Sequence, residues 1–151
     1  MYTIDIVCVG TLKESYLRDA CGEYTKRLSA YSRVSVTELK EARTPEEEGA
    51  EILSVLGGPV AGRAVIALDI KGKKFSSEAF SGIIETLGVG GQSHIVFIIG
   101  GSEGLPLEVL SRADMRLSFS DMTFPHQLMR VILLEQIYRS FRIMRGEPYH
   151  K

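Results

Sequence analysis

The apolar positions of the chain follow two periods in turn. Thr3–Val9 alternates and is rich in Ile and Val, a strand closed by Gly10. Ser15 to about Tyr31 has helical spacing, with Tyr16, Leu17, Ala20, Tyr24 and Leu28 on one side. Val34–Leu39 is a second strand, and Lys40–Pro45 a polar loop. Thr44-Pro45-Glu46-Glu47 is a helix start whose acidic first turn suits the helix dipole, and Gly57-Gly58-Pro59 ends that helix. Ala64–Asp69 and Ile95–Ile99 are continuous apolar runs, the mark of strands buried on both faces. Between them, Lys71-Gly72-Lys73-Lys74 predicts a turn, Ser76 or Ser77 caps a helix through about Thr86, and Leu87–Ser93 connects. Pro106–Ala113 is a short helix, and Met115–Phe119 the last strand. A long helix with Pro125 in its first turn then runs to about Arg145, stopped by Gly146 and Pro148.

Strands alternating with helices predict an α/β fold with a mostly parallel sheet, as one domain over residues 1–151. Ligands of such sheets bind beyond the carboxyl ends of strands. Three segments of unusual composition lie there: Leu68–Gly72, Gly100–Gly104 and Phe119–Phe124. The last helix is apolar nearly all round from Leu128 to Leu134, so it is buried in a core or against a partner. Arg130 interrupts that stretch and needs a partner if buried. The second half narrows to a stripe of Leu134, Ile137, Tyr138, Phe141 and Met144, with Glu135, Arg139 and Arg142 opposite.

Charge adds a local bias. The formal net charge is −1, yet residues 126–151 hold five Lys or Arg against two Glu. A positive end on an acidic body can hold nucleic acid locally, and chance clustering on a solvated face explains the count equally well. No apolar run is long enough for a membrane span, and MYTIDIVCVG lacks the pattern of a secretion signal. Cys8 and Cys21 make no metal spacing and read as small buried hydrophobes in a reducing, cytoplasmic setting.

Gly100-Gly101-Ser102-Glu103-Gly104 is neither a phosphate loop nor a dinucleotide fingerprint, because the Lys-Ser/Thr and the glycine spacing are absent. Glycines after a buried strand let the backbone lie against a flat ligand, or simply make a turn. The blocks ALDIKGK, FIIGGSEG and SDMTFPHQLMR, with the terminal PYHK, carry a specific resemblance. Together they resemble the family of ribosomal RNA large-subunit methyltransferase H, in the SPOUT superfamily. The match is dense over Ile66–Lys151 and thin over Thr11–Gly62.

That resemblance implies a SPOUT-type α/β trefoil knot with a long C-terminal helix, a homodimer, and methylation of N3 of a pseudouridine in 23S ribosomal RNA. The implied methyl donor is S-adenosyl-L-methionine, with no metal and no membrane. Its adenine needs an apolar slot and backbone hydrogen bonds. Leu68, Ile99, Phe119, Met122 and Phe124 can form the slot, the peptide groups of Phe119, Ser120, Asp121, Met122, Thr123 and Phe124 can bond its edge, and Gly100 and Gly101 can form a wall. The N3 proton must leave, which directs attention to His126, His150 and Arg139 as base or cation. His126 reads rather as a capping or packing residue. Tyr149 can stack on a base. The expected site takes cofactor loops from one subunit and the tail from either. Two rivals stand beside this reading: a knotted RNA-binding dimer without catalysis, and an α/β nucleotide-binding enzyme of other chemistry.

Overall fold

The computed structural model describes every residue, Met1–Lys151. Its elements run β1 (Tyr2–Val9), α1 (Ser15–Leu28), β2 (Ser32–Leu39), α2 (Pro45–Leu56), β3 (Arg63–Lys74), α3 (Ser77–Val89), β4 (His94–Ile99), α4 (Leu107–Arg112), β5 (Met115–Ser118) and α5 (His126–Met144). The five strands form one sheet in the order β2-β1-β4-β3-β5, with every pairing parallel.

Alternation along the central strands builds two cores. Ile4, Ile6 and Cys8 of β1 face one side with Ile95, Phe97 and Ile99 of β4; α1, α3 and α5 cover them through Leu17, Leu28, Phe80, Ile84, Leu133, Leu134 and Ile137. Val7, Val9, Val65, Val96 and Ile98 face the other side, under Ile52 and Leu56 of α2 and Val109 of α4. The caps follow from residue chemistry. Thr44 accepts the Glu47 N–H ahead of Pro45, and Ser76 accepts the Ala79 N–H.

Four expectations are corrected. Lys71–Lys74 is not a turn: β3 continues to Lys74 and pairs with β5 twice, at Leu68↔Leu117 and again at Lys73↔Leu117, with a bulge between. A polar run becomes strand because β5 supplies a ladder that no local pattern announces. Gly72 makes this possible, since a Cβ there would sit 2.7 Å from the Arg116 carbonyl carbon. Tyr16 is 69% exposed, and Cys21 takes the inward place on α1. That helix stops at Leu28, short of Tyr31. Pro125 occupies the cap position of α5 rather than its first turn, and no side chain caps that helix.

Arg130 finds two partners, one for each terminal nitrogen, while its buried Nε–H has none. Its guanidinium is 3% exposed and donates to Glu38 Oε2 at 2.6 Å and to the Gly10 carbonyl at 3.1 Å. The pair pins α5 to the carboxyl ends of β1 and β2. Truncating one partner of a buried pair typically costs about 3–5 kcal/mol, and the half-wet Glu38 puts this pair at the low end. Arg130→Ala is therefore expected to lower unfolding free energy by about 3 kcal/mol in urea titration. Arg130→Met, which keeps the packing, should lose less; equal midpoints for wild type and Arg130→Ala would remove the pin from the argument.

Candidate active site

The bulge, the glycine turn and the segment after β5 meet at the carboxyl end of the sheet around a cavity of about 560 Å³. Leu68, Asp69, Ile70 and Lys71 form one wall, turned inward where β3 bulges. The second wall runs from Ile99 through Gly100, Gly101, Ser102, Glu103 and Gly104 to Leu105. Gly101 and Gly104 close this turn, the Gly104 N–H donating to the Gly101 carbonyl at 3.0 Å, and Gly104 holds φ +82°, which favours glycine. A Cβ on Gly100 would lie 2.8 Å from the Gly104 carbonyl carbon, so the turn closes only without a side chain there.

The third wall is Arg116–Ser120 with Met122, Thr123 and Phe124. Two hydroxyls set its backbone: Ser118 Oγ donates to the Ser120 carbonyl at 3.0 Å, and Ser120 Oγ accepts the Met122 N–H at 3.0 Å. His126 and Met129 of α5 complete the enclosure. His126 Nε2 is buried with no hydrogen-bond partner and lies 4.0 Å from Glu41 Oε1. The cavity thus has apolar surfaces, exposed peptide edges, and charged groups of both signs in Asp69, Lys71, Glu103 and Arg116. No group of three His, Cys, Asp or Glu converges as a metal site would require.

Eight of the nine residues expected to bind a cofactor line this cavity: Leu68, Gly100, Gly101, Phe119, Ser120, Met122, Thr123 and Phe124. Asp121 does not. Its side chain turns outward to Lys74 Nζ at 2.5 Å. Met122 lines the cavity from an exposed position, 73% accessible.

The tail forms a second constellation, away from the cavity. Glu135 is its hub, accepting from Arg139 Nη2 at 2.7 Å and from the Tyr149 hydroxyl at 2.8 Å. The Tyr149 ring meets Tyr138 edge-on at 4.9 Å and lies under the Arg139 guanidinium at 4.8 Å. Arg139 Nη1 is 3.0 Å from His150 Nδ1, and His150 Nε2 contacts Glu78 on α3. Arg142 ties the turn before the tail, bonding Glu147 at 3.0 Å and the Pro148 carbonyl at 3.1 Å. The structure therefore brings Arg139, Tyr149 and His150 together. It does not bring them to the cavity of the same chain: His126 and Arg139 stand thirteen residues apart on α5, about 20 Å along its axis.

Comparison with known proteins assigns the architecture. The family model described as "Predicted SPOUT methyltransferase" matches residues 2–150. The chain belongs to the SPOUT methyltransferase family. The protein called ribosomal RNA large subunit methyltransferase H in Clostridium acetobutylicum is 52% identical, covering 98% of this chain and 99% of its own length. Those of the same name in Clostridium kluyveri and Carboxydothermus hydrogenoformans are 51% and 52% identical over the same shares. A solved structure, of a probable methylase family protein from Haemophilus influenzae Rd KW20, superposes with TM-score 0.57 at 11% identity, covering 98% of this chain and 70% of that one. At that identity the likeness concerns the fold.

The cavity also draws in residues that the sequence did not bring forward. Its charged members were not singled out from sequence. Asp69 is carried inward by the bulge, and Arg116 by a strand whose one-residue alternation is too short to read. Glu103 lay inside the glycine turn. His126 had a signal, its place directly after the Phe119–Pro125 segment, but reads equally as packing. Glu78 and Glu135 meet the tail only through the tertiary fold.

The Tyr149 phenol is pushed well above its ordinary range, chiefly by burial and then by its bond to Glu135. Its folded value lies above its unfolded one, so this interaction's contribution is complete below about pH 10 and is lost as pH rises further. Spectrophotometric titration is expected to show one tyrosine ionising later than the rest, missing in Tyr149→Phe. A Tyr149→Phe curve that superposes on wild type would show the phenol to be solvated.

Proposed function

We propose that this protein methylates N3 of a pseudouridine in 23S ribosomal RNA, using S-adenosyl-L-methionine, as a cytoplasmic homodimer. Identity of 52% across 98% of the chain, to a protein called ribosomal RNA large subunit methyltransferase H, supports large-subunit ribosomal RNA as the substrate. The cavity supports the donor. Its volume of about 560 Å³ lies in the range of small-molecule and cofactor sites. Leu68, Ile99, Phe119 and Phe124 offer apolar faces to an adenine, and the peptide groups of Phe119–Phe124 its hydrogen bonds. The closed Gly100–Gly104 turn keeps side chains out of the space a nucleoside needs.

When bound, the donor supplies an electrophilic methyl group on a sulfonium. The residues must then position the nucleophile and dispose of a proton. The N3–H of the base has to leave, because the electron pair it frees is the one that attacks. His150, with Arg139 beside it, is the candidate acceptor, and Tyr149 the candidate stacking surface. The phenol is held neutral, so Tyr149 acts through its ring and its O–H.

Two observations favour the dimer. Leu128 is 38% exposed, and Met129, Val131 and Ile132 are only half-covered, although this half of α5 is apolar nearly all round. The tail also lies some 20 Å along α5 from its own cavity, so a second copy is the natural source of a complete site. The trefoil knot belongs to the same proposal, the last segment passing through a loop.

Thermal melting is expected to shift upward with S-adenosylmethionine and S-adenosylhomocysteine and not with ATP. Gly100→Arg should abolish that shift while light scattering still reports a dimer; retention of cofactor affinity would remove the turn from the site. Deleting Pro148–Lys151 should preserve cofactor affinity and lower turnover on ribosomes by about 10²-fold or more, the scale of a positioned general base. Tyr149→Phe should lose less than Tyr149→Ala if stacking dominates. A truncated protein at full rate would shift the search to His126, and cofactor binding with no methyl transfer to any RNA would favour the non-catalytic dimer.

A further inference from the structure

The contacts around His150 restrict its proton arrangement. A guanidinium carries five N–H donors and no acceptor. Arg139 Nη1 lies 3.0 Å from His150 Nδ1, so Nδ1 must offer its lone pair. A neutral imidazole with an unprotonated Nδ1 carries its hydrogen on Nε2. Nε2 points at Glu78 Oε1, and a carboxylate is the acceptor that hydrogen requires. The geometry is reciprocal: a donor-only group on one edge of the ring, an acceptor-only group on the other.

Both neighbours are themselves held. Arg139 is bonded through Nε and Nη2 to Glu135, at 3.4 and 2.7 Å, which leaves Nη1 directed at the tail. Glu78 stands in the first turn of α3, behind the Ser76 cap, and the neighbouring Ser77 Oγ donates to Gln136 of α5 at 2.7 Å. That bond fixes the spacing between the helix bearing Glu78 and the helix bearing Arg139. The Glu78 carboxyl is held below the ordinary carboxylate range, first by its bond with His150.

We propose that Glu78 is a positioning residue for the tail: it takes the Nε2–H of His150 while Arg139 donates to Nδ1, and the two together hold the ring in one tautomer and one orientation. Glu78 touches neither the cavity nor the reacting atoms. It acts through the imidazole, orienting the ring and keeping its hydrogen on Nε2. The consequence rests on the tail being catalytic, whereas the tautomer does not. With Glu78 replaced by a side chain without an acceptor, the ring is free to rotate or to move its hydrogen to Nδ1. That nitrogen would then face Arg139 donor to donor, and the tail would leave its seat.

The test joins a spectrum to a rate. Long-range proton–nitrogen NMR of the protein labelled at histidine should show His150 with a pyrrole-type Nε2 and a pyridine-type Nδ1. Glu78→Ala should give averaged nitrogen shifts and lower kcat on ribosomes about tenfold, a fraction of what a general base contributes, with KM for S-adenosylmethionine unchanged. Glu78→Gln keeps an acceptor oxygen and should restore most of both signals. A hydrogen on Nδ1 in the wild-type protein overturns the proposal, as does a Glu78→Ala variant with the wild-type tautomer. If His150→Ala turns over at full rate, the catalytic reading of the tail fails, and the spectrum alone decides whether Glu78 sets the tautomer.

Discussion

A buried arginine decides where the last helix sits. Arg130 interrupts a stretch that is otherwise apolar, and its charge cannot enter the core without a carboxylate and a carbonyl to receive its hydrogens. Glu38 at the end of β2 and the Gly10 carbonyl after β1 are those groups. The pairing fixes α5 in rotation and in depth. Phe124, His126 and Met129 are thereby placed over the carboxyl ends of the strands, where the glycine turn and the β3 bulge already converge. Leu133, Leu134 and Ile137, one and two turns on, fall under the sheet beside α1 and α3. One ion pair thus links the core to the roof of the cavity.

The sheet contributes the complementary constraint. Parallel strands end together, so the loops after β3, β4 and β5 open on one side, and a ligand there meets peptide groups from all three. The bulge in β3 refines this. It lets the strand resume pairing at Lys73 while Asp69–Lys71 lean into the cavity. The rigid part of the site is therefore backbone, held by Gly72, Gly100 and two serine hydroxyls.

Much of this was legible in the sequence, and the limits are physical. Continuous apolar runs marked β3 and β4 because a strand buried on both faces has no polar side to show. The glycine turn was visible as composition, and eight of nine expected lining residues sit at the cavity because strand ends carry them there together. The side chain of Asp121 could not be placed from sequence because a turn residue can face either way, and Lys74 draws it outward. Lys71–Lys74 misled because a polar ladder is made by its neighbour, not by its own residues. Tyr16 misled because it is one position from the inward stripe, and a helix rotation of 100° per residue separates core from solvent. The tail network could not be read at all: Glu78 and His150 are 72 residues apart, and only the packing of α3 on α5 joins them.

The energetics of the tail bear on what it can do. Ordering one residue costs about 1–2 kcal/mol of backbone entropy, so seating Tyr149 and His150 costs roughly 2–4 kcal/mol. An aromatic pair such as Tyr149 on Tyr138 returns about 1 kcal/mol, and a hydrogen bond to a charged group about 1.5–3 kcal/mol. These sums nearly cancel. The seat holds the tail in a defined geometry without holding it firmly. Hydrogen bonds from Arg139 and to Glu78 carry the geometry that the aromatic contact alone would leave loose.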